Sequence, residues 1–360
     1  MTVVADASRG SQSRLAVLTP YLIPDSLRGR KVVNLGDGFI LRAIERLIGG
    51  FELGRSFSPR VALSAAAQAM LTQSPAVVLA GANQLNDRYT VWPGLTAEQI
   101  RHSGLRLIPF GIGLHGEPGQ TDRLTAATRD VLTAMHEGID FSSWRCPHTV
   151  AYLRSELPHL APQLLMTGCP VVYDEPLLGG VPFGRGTRRI AVTVTERGDF
   201  WARETATIDF VARHFPRAER HLVLHQNYSL PGRLESFRYR WLPQPTSQLN
   251  EYQRLRKYAV RRGFTIVCPP DADACMDFYG QMDMHIGSRL HAHLLCLSRA
   301  KRSWLVPVDG RALGMAEFLG FPLCGPHQLE SALGFDFETV RTRAREGFKV
   351  MERFVDTLPR

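Results

Sequence analysis

Ser288, Arg289 and His291 stand in the segment DMHIGSRLHAHLLCL (residues 283–297), where the spacing of apolar residues changes. Met284 and Ile286 alternate like a short buried strand, whereas Leu290, Leu294, Leu295 and Leu297 recur at helical spacing. Arg289 and His291 therefore fall in the first turn of a predicted helix, just past the carboxyl end of a strand. At that rim of an open α/β sheet, helix-start N–H groups and the positive end of the helix dipole face the ligand cleft. An arginine and a histidine added there suit a small, multiply charged anion. The competing assignment for the pair is a buried salt bridge. His285 and His293 fit strand and helix packing instead.

Other polar residues take comparable positions. In NLGDG (34–38), Gly36 and Gly38 permit tight backbone geometry, while Asn34 and Asp37 can bind hydroxyl groups or simply cap the following helix. The pattern is not GxGxxG, so a nicotinamide cofactor is not indicated. VVLAGANQLND (77–87) and IPFGIGLHG (108–116) end strands in glycine turns, making Asn83 and His115 either cleft contacts or ordinary turn residues. WRCPHTVAYL (144–153) sets Arg145 and His148 just ahead of a helix. A cation there opposes the helix dipole, so Arg145 calls for a specific partner, whether a ligand or a surface carboxylate. VTVTERGDF (192–200) ends another strand with Glu196 and Arg197 at the rim.

The elements that must hold these residues alternate along the chain. LAVLT (15–19) reads as a strand, followed by a long loop and a helix with Phe39, Ile40, Ile44, Leu47 and Ile48 on one face. VALSAAAQAML, AVVLAG, LTAEQIRHSG, LRLIPFGIG, a helix within 121–137, IDFSSWR and HTVAYLRSEL continue the pattern. Such alternation predicts a parallel sheet covered on both faces. Residues 175–188, EPLLGGVPFGRGTR, read as an interdomain linker because glycine and proline dominate them. The alternation then restarts at RIAVTVT. The expected architecture is α/β: two doubly wound Rossmann-like domains facing a cleft, over residues 15–180 and 181–335. Residues 1–14 read as a disordered lead-in. The stretch 336–360 reads as an amphipathic helix, with Val340, Ala344, Phe348, Met351 and Val355 on one face and able to pack back on the first domain.

Bulk composition narrows the function classes. The 360 residues are 44% apolar and 21% charged, values of a globular chain long enough for two cores. No apolar run approaches a membrane span, and the N-terminus lacks the order of a secretion signal. The six cysteines form no CxxC pair, which favours buried reduced thiols over a metal site. A cytoplasmic enzyme is therefore expected, with the inner face of the membrane as a further place of contact. The net charge of +9 has no stripe of cations interleaved with aromatics, so nucleic acid is not the expected partner. Anionic substrates or an anionic membrane surface suit this diffuse excess better. The densest cluster, RLRKYAVRR (254–262), reads as a solvated helix face.

The ordered set of NLGD (34–37), WRCPHTVAYL, RLH (289–291) and VPVDGRALGMAEFLG (306–320) resembles the polysaccharide pyruvyl transferase family, over roughly residues 30 to 325. The resemblance implies a GT-B-like pair of Rossmann domains and transfer of pyruvyl from phosphoenolpyruvate to a sugar as a ketal. It implies that Arg289 and His291, with Ser288 and Leu290 around them, hold the donor, and that Arg197 is a second anion contact. Arg311, in DGR, stands where the family has lysine, and AGAN (80–83) stands where it has three glycines. Asn34, Gly36, Asp37, Asn83, His115 and His148 would then serve a saccharide or lipid-linked saccharide acceptor. Phosphoenolpyruvate joins a carboxylate and a phosphate on three carbons, which guanidinium forks grip well. Its C3 must be protonated so that C2 accepts a hydroxyl, phosphate leaves, and a second hydroxyl closes the ring. His291 is the expected acid and Asp37 the expected base. Phosphoenolpyruvate is a co-substrate, and no metal or other cofactor is called for.

Two rivals use the same cleft. A sugar-nucleotide glycosyltransferase would set Arg289 against a diphosphate and Glu317 against a ribose. A non-catalytic glycan- or anion-binding relative would keep the site without turnover.

Overall fold

The computed structural model describes residues 14–23, 33–49, 52–116, 119, 122–195, 198–226, 232–242 and 249–359. Residues 1–13 of the expected lead-in and 24–32 in the loop after the first strand lie outside them, and Arg14, expected in the lead-in, instead begins the first strand. In chain order the first half runs β1 (Arg14–Leu18), α1 (Leu35–Leu47), β2 (Glu52–Phe57), α2 (Ala65–Thr72), β3 (Val77–Ala80), α3 (Ala97–Ser103), β4 (Leu107–Phe110), α4 (Ala126–His136), β5 (Ser142–Trp144), α5 (Pro147–Glu156), β6 (Leu164–Met166) and α6 (Glu175–Leu178). The second half runs β7 (Arg189–Thr193), α7 (Trp201–His214), β8 (Glu219–Val223), α8 (Gly232–Trp241), α9 (Glu251–Arg261), β9 (Phe264–Val267), α10 (Ala272–Gly280), β10 (Met284–Gly287), α11 (Leu290–Ser298), β11 (Arg302–Leu305), α12 (Gly310–Leu319), α13 (Leu329–Ala332) and α14 (Glu338–Val355).

The fold is α/β, with two doubly wound parallel sheets. The first has the order β2-β1-β3-β4, all parallel, and β5-β6 continue it. The join is a bridge between Ile112 and Trp144 and a bond from the Gly111 N–H to the Ser143 carbonyl (3.0 Å). The second sheet has the order β11-β10-β7-β8-β9, also parallel throughout. Both faces of the first sheet are buried: Leu15, Val17, Val78 and Ala80 pack into one apolar cluster, and Ala16, Leu18, Val77 and Leu79 into another. That is why its central strands read as continuous apolar runs rather than alternating ones.

Each sheet reverses its winding at one place, between β1 and β3 in the first and between β7 and β10 in the second. Such switch points open a crevice beyond the carboxyl ends of the strands, because the flanking helices diverge to opposite faces. Here the two crevices meet. Phe39 of α1 packs edge-on against His225 after β8 and Tyr279 of α10 (centroids 5.6 and 6.2 Å). Arg42 of α1 holds Asp273 of α10 with two bonds (2.8 and 2.6 Å).

The Gly/Pro-rich stretch is more than a spacer. Leu177 of α6 is fully buried, and Arg341 of α14 donates to the carbonyls of Leu177 and Val181. Helix α14 lies against the first sheet's elements: Phe354 meets Phe110 edge-on at 4.9 Å, and the Arg353 guanidinium sits 4.6 Å over the Phe141 ring. The expectation of a solvated face over 254–262 needs correction. Arg256 and Lys257 are buried, while Arg254, Arg261 and Arg262 are exposed. Long aliphatic stems let cationic residues cover apolar surface, so a charge cluster need not lie wholly in water. No helix among the described residues is long and apolar enough to cross a membrane.

Candidate functional site

The cleft between the sheets contains a cavity of about 40 Å³ lined by Asn34 and Gly36 from the first domain and by Thr195, His225, Ser288, Arg289, Leu290, His291, Val308, Asp309 and Arg311 from the second. Space of that size holds a few waters or one small oxyanion group. Each strand of the second sheet's switch point contributes through the loop at its carboxyl end.

Asn34 caps α1, accepting from the Gly36 N–H (3.3 Å), and its side-chain amide donates to Asp37 (3.1 Å). This turn comes so close to α11 that a Cβ on Gly36 would stand 2.7 Å from His291 Nδ1. Gly36 serves interdomain approach here; it is not in a left-handed conformation. The Asp37 carboxyl is buried, and burial pushes its pKa up to about 6 against the pull of Arg60, Arg311, Arg145 and Arg289. Arg60 is 4.0 Å away, at the limit of an ion pair. A carboxyl titrating near neutrality is suited to proton transfer.

Arg289 is the N-cap residue of α11, one position ahead of the first turn. Its Nε donates to the Val194 carbonyl (2.9 Å) and its Nη2 to the Thr195 carbonyl (3.1 Å), while its N–H donates to Thr193 Oγ1 (3.1 Å). This corrects the expectation of a guanidinium turned wholly to a ligand, since two of its nitrogens hold backbone oxygens just past the end of β7. The cause is the switch point itself: β7 ends beside β10, and its last carbonyls have no further strand to accept from.

His291 is buried in the first turn of α11, with Nε2 lacking a hydrogen-bond partner among the described residues. Burial, reinforced by Arg145 and Arg311 and opposed by Asp309, holds its pKa well below the ordinary imidazole value. The imidazole is therefore held in its neutral form. His225, at the end of β8, also lines the cavity and shares a 2.9 Å hydrogen bond with the Tyr279 hydroxyl. Arg311 clasps Asp309, the N-cap of α12, through Nε (2.9 and 3.0 Å) and Nη2 (2.5 Å). Burial raises the Asp309 pKa, but the Arg311 clasp more than offsets it, so the carboxyl titrates below its usual range.

Arg145, which the sequence singled out, does not line the cavity, although its charge reaches it. It is fully buried just before α5; its Nη2 donates to Asn83, and its Nε and Nη1 have no hydrogen-bond partner among the described residues. A Cβ on Gly113 would fall on the guanidinium, so the glycine turn after β4 exists to seat it. Burial pulls its pKa down, and its charge acts on both Asp37 and His291. A buried cation left short of acceptors costs several kcal/mol, which an anion in the cleft would offset.

The remaining expected residues fall into separate groups. Asn83 is the acceptor for Arg145 rather than a free contact. His148 Nε2 lies 3.0 Å from Glu317 of α12, tying the two domains together. His115 is exposed and does not line the cavity. Arg197 lies outside the described residues. His285 and His293 are fully buried, each with Nδ1 2.8 Å from Ser303 Oγ. His225, Thr195 and Arg60 were not foreseen. For His225 a signal existed, since it ends the strand-like run HLVLH.

No protein-family model matches the sequence, and no curated protein matches it by sequence. Similar solved structures include the UDP-GlcNAc 2-epimerase from Methanocaldococcus jannaschii (9% identity, 94% of this chain and 99% of that one, TM-score 0.49). Two others are the UDP-forming α,α-trehalose-phosphate synthase from Burkholderia vietnamiensis (14%, 81% and 76%, TM-score 0.38) and the UDP-GlcNAc 2-epimerase from Neisseria meningitidis bound to UDP-GlcNAc (11%, 88% and 83%, TM-score 0.40).

Proposed function

We propose that this chain is a phosphoenolpyruvate-dependent pyruvyl transferase that forms a ketal on a vicinal or 1,3-diol of a saccharide. The observation that carries the reading is Arg145, a buried guanidinium with two nitrogens lacking partners among the described residues, whose charge acts on Asp37 of its own domain and on His291 of the other. Arg289 and Arg311 line the cavity, which takes one oxyanion group, and Arg145 adds a further buried cation whose charge reaches the same site and suits a second anionic group on one small molecule. Phosphate and carboxylate on a three-carbon frame match that demand. The bound charge raises the His291 pKa, so donor binding itself arms the imidazole to protonate C3. Asp37, titrating near pH 6, is mostly ionised at neutral pH and takes the proton of the attacking hydroxyl. The C2–O bond to the sugar forms, phosphate leaves, and the second hydroxyl closes the ring.

The test is phosphate release from phosphoenolpyruvate in the presence of a panel of saccharides, alongside calorimetric titration of the donor. Donor binding in wild type, with saccharide-dependent phosphate release, is the expected result. Release of UDP from a panel of UDP-sugars, with the same saccharides as acceptors, addresses the glycosyltransferase rival. Donor binding with no phosphate release on any saccharide would favour the non-catalytic relative. A folded protein with no affinity for phosphoenolpyruvate would sink the proposal.

A further inference from the structure

Helix α8 carries a surface unlike the rest of the molecule. Leu234, Phe237 and Trp241 are 56%, 56% and 68% exposed, and Leu242 just beyond the helix is 50% exposed. Steps of three and four place the first three on one helical face. The opposite face is anchored: Tyr239 is buried and Ser236 Oγ accepts from the Ile266 N–H of β9 (2.8 Å). The exposed stripe is therefore not a misplaced core face. Arg240 on the same helix is exposed beside it, and the neighbouring α9, which packs against α8, carries the exposed Arg254 and Arg261. Scattered exposed leucines need no explanation, but two aromatics and two leucines in one patch with a cationic border do.

We infer that α8 docks the protein on an anionic lipid bilayer, with its apolar stripe in the headgroup region and the flanking arginines against lipid phosphates. Three observations select a membrane over another occupant. The apolar residues are large and aromatic, as interfacial helices require. The border is cationic, complementary to an anionic leaflet. The whole chain is also basic, with a formal charge of +9, so long-range attraction acts in the same direction. The placement has a functional consequence. Helix α8 begins at Gly232, seven residues after the cavity-lining His225 in the chain. A saccharide carried on a membrane lipid would be presented beside the crevice. That last consequence rests on the pyruvyl-transfer reading; bilayer docking does not.

The experiment is co-sedimentation of the full chain with vesicles of phosphatidylcholine, with and without 30% phosphatidylglycerol. Tryptophan emission is read in parallel, and a Phe237→Glu/Trp241→Glu variant is compared with wild type. Wild type should pellet with the anionic vesicles and shift its emission to the blue. It should bind less to neutral vesicles or in high salt, and the variant should lose at least about tenfold in vesicle affinity. The variant should keep its circular dichroism and its phosphoenolpyruvate titration, because neither residue lines the cleft. The donor titration thus separates failure of docking from failure of the proposed function. Wild type that ignores anionic vesicles, or that self-associates through this stripe in size-exclusion chromatography with light scattering, would overturn the inference. Equal vesicle binding by the variant would do the same.

Discussion

Gly36 of the first domain and His291 of the second meet so closely that a methyl group on Gly36 would lie 2.7 Å from the imidazole Nδ1 and 3.2 Å from its Cβ. The two residues belong to the helix starts at the two switch points. Their contact brings the Asp37 carboxyl and the arginines of the second domain to one crevice.

Gly36→Ala should therefore disturb the site without any backbone strain at residue 36 itself. Overpacking of this kind costs about 1–3 kcal/mol, and here the displaced group is His291. Turnover should fall more than thermal stability does. Gly334→Ala, where a Cβ meets nothing within 4 Å, is the control and should leave both unchanged. Equal effects from the two substitutions would remove any special meaning from the contact.

Asp37 makes stability depend on pH with a definite sign. The folded carboxyl titrates near pH 6 and the unfolded one near its ordinary value of 3.8, so between them the folded chain holds the extra proton. Its contribution to stability therefore falls as pH rises through that window. Asp37→Asn should raise the melting temperature at pH 7.5, by the equivalent of at most about 3 kcal/mol, and flatten the dependence between pH 4 and 6. Loss of the base should also slow turnover by about 10²–10⁴-fold. Melting curves at pH 5 and 7.5 check the first part; a variant less stable than wild type at pH 7.5 contradicts it.

Donor binding should draw a proton onto His291. The unliganded imidazole is held neutral by burial and by Arg145 and Arg311, and a bound dianion reverses the charge around it. Calorimetric titration of phosphoenolpyruvate near pH 6.5 in buffers of different ionisation enthalpy reads the protons exchanged. Wild type should take up more than His291→Gln, and the difference isolates the imidazole. Identical proton counts would mean that His291 does not titrate with the donor.

Arg145 and Arg289 should separate when each is replaced. Arg145 lacks partners for two of its nitrogens among the described residues, whereas Arg289 holds the Val194 and Thr195 carbonyls. Arg145→Met should keep or raise the melting temperature of the free protein and lose about tenfold to a hundredfold in donor affinity. Arg289→Ala should lose both stability and affinity, because two carbonyls at the end of β7 lose their donor. Arg289→Lys should not restore them, since an ammonium on a single stem cannot bridge both oxygens as the fork does. Unchanged donor affinity in folded Arg145→Met would detach Arg145 from the site.

The order of strands and helices was legible along the chain because burial on both faces leaves short apolar runs, and the helices between them repeat at helical spacing. What local pattern did not show was the edge strand β2, whose ELGRSF alternation is weak, and the helix α8, whose apolar residues face outward. The site was half legible. Arg289, His291 and Asp37 could be picked out because each follows a strand-to-helix transition, a position defined by neighbours in sequence. Their states could not. Burial sets the Asp37 and His291 pKa values, and it depends on elements from both domains closing over them. Arg289 was assigned to a ligand, yet the β7 carbonyls that engage it lie some ninety residues away in the chain. His225 lines the crevice, and Arg145 comes within electrostatic reach of it, because β7–β8 and β4–β5 stand side by side in their sheets. Sequence determined which residues stand at the carboxyl ends of strands; tertiary structure decided which of those ends face one another, because sheet order and the sign of each crossover are set by packing over the whole domain.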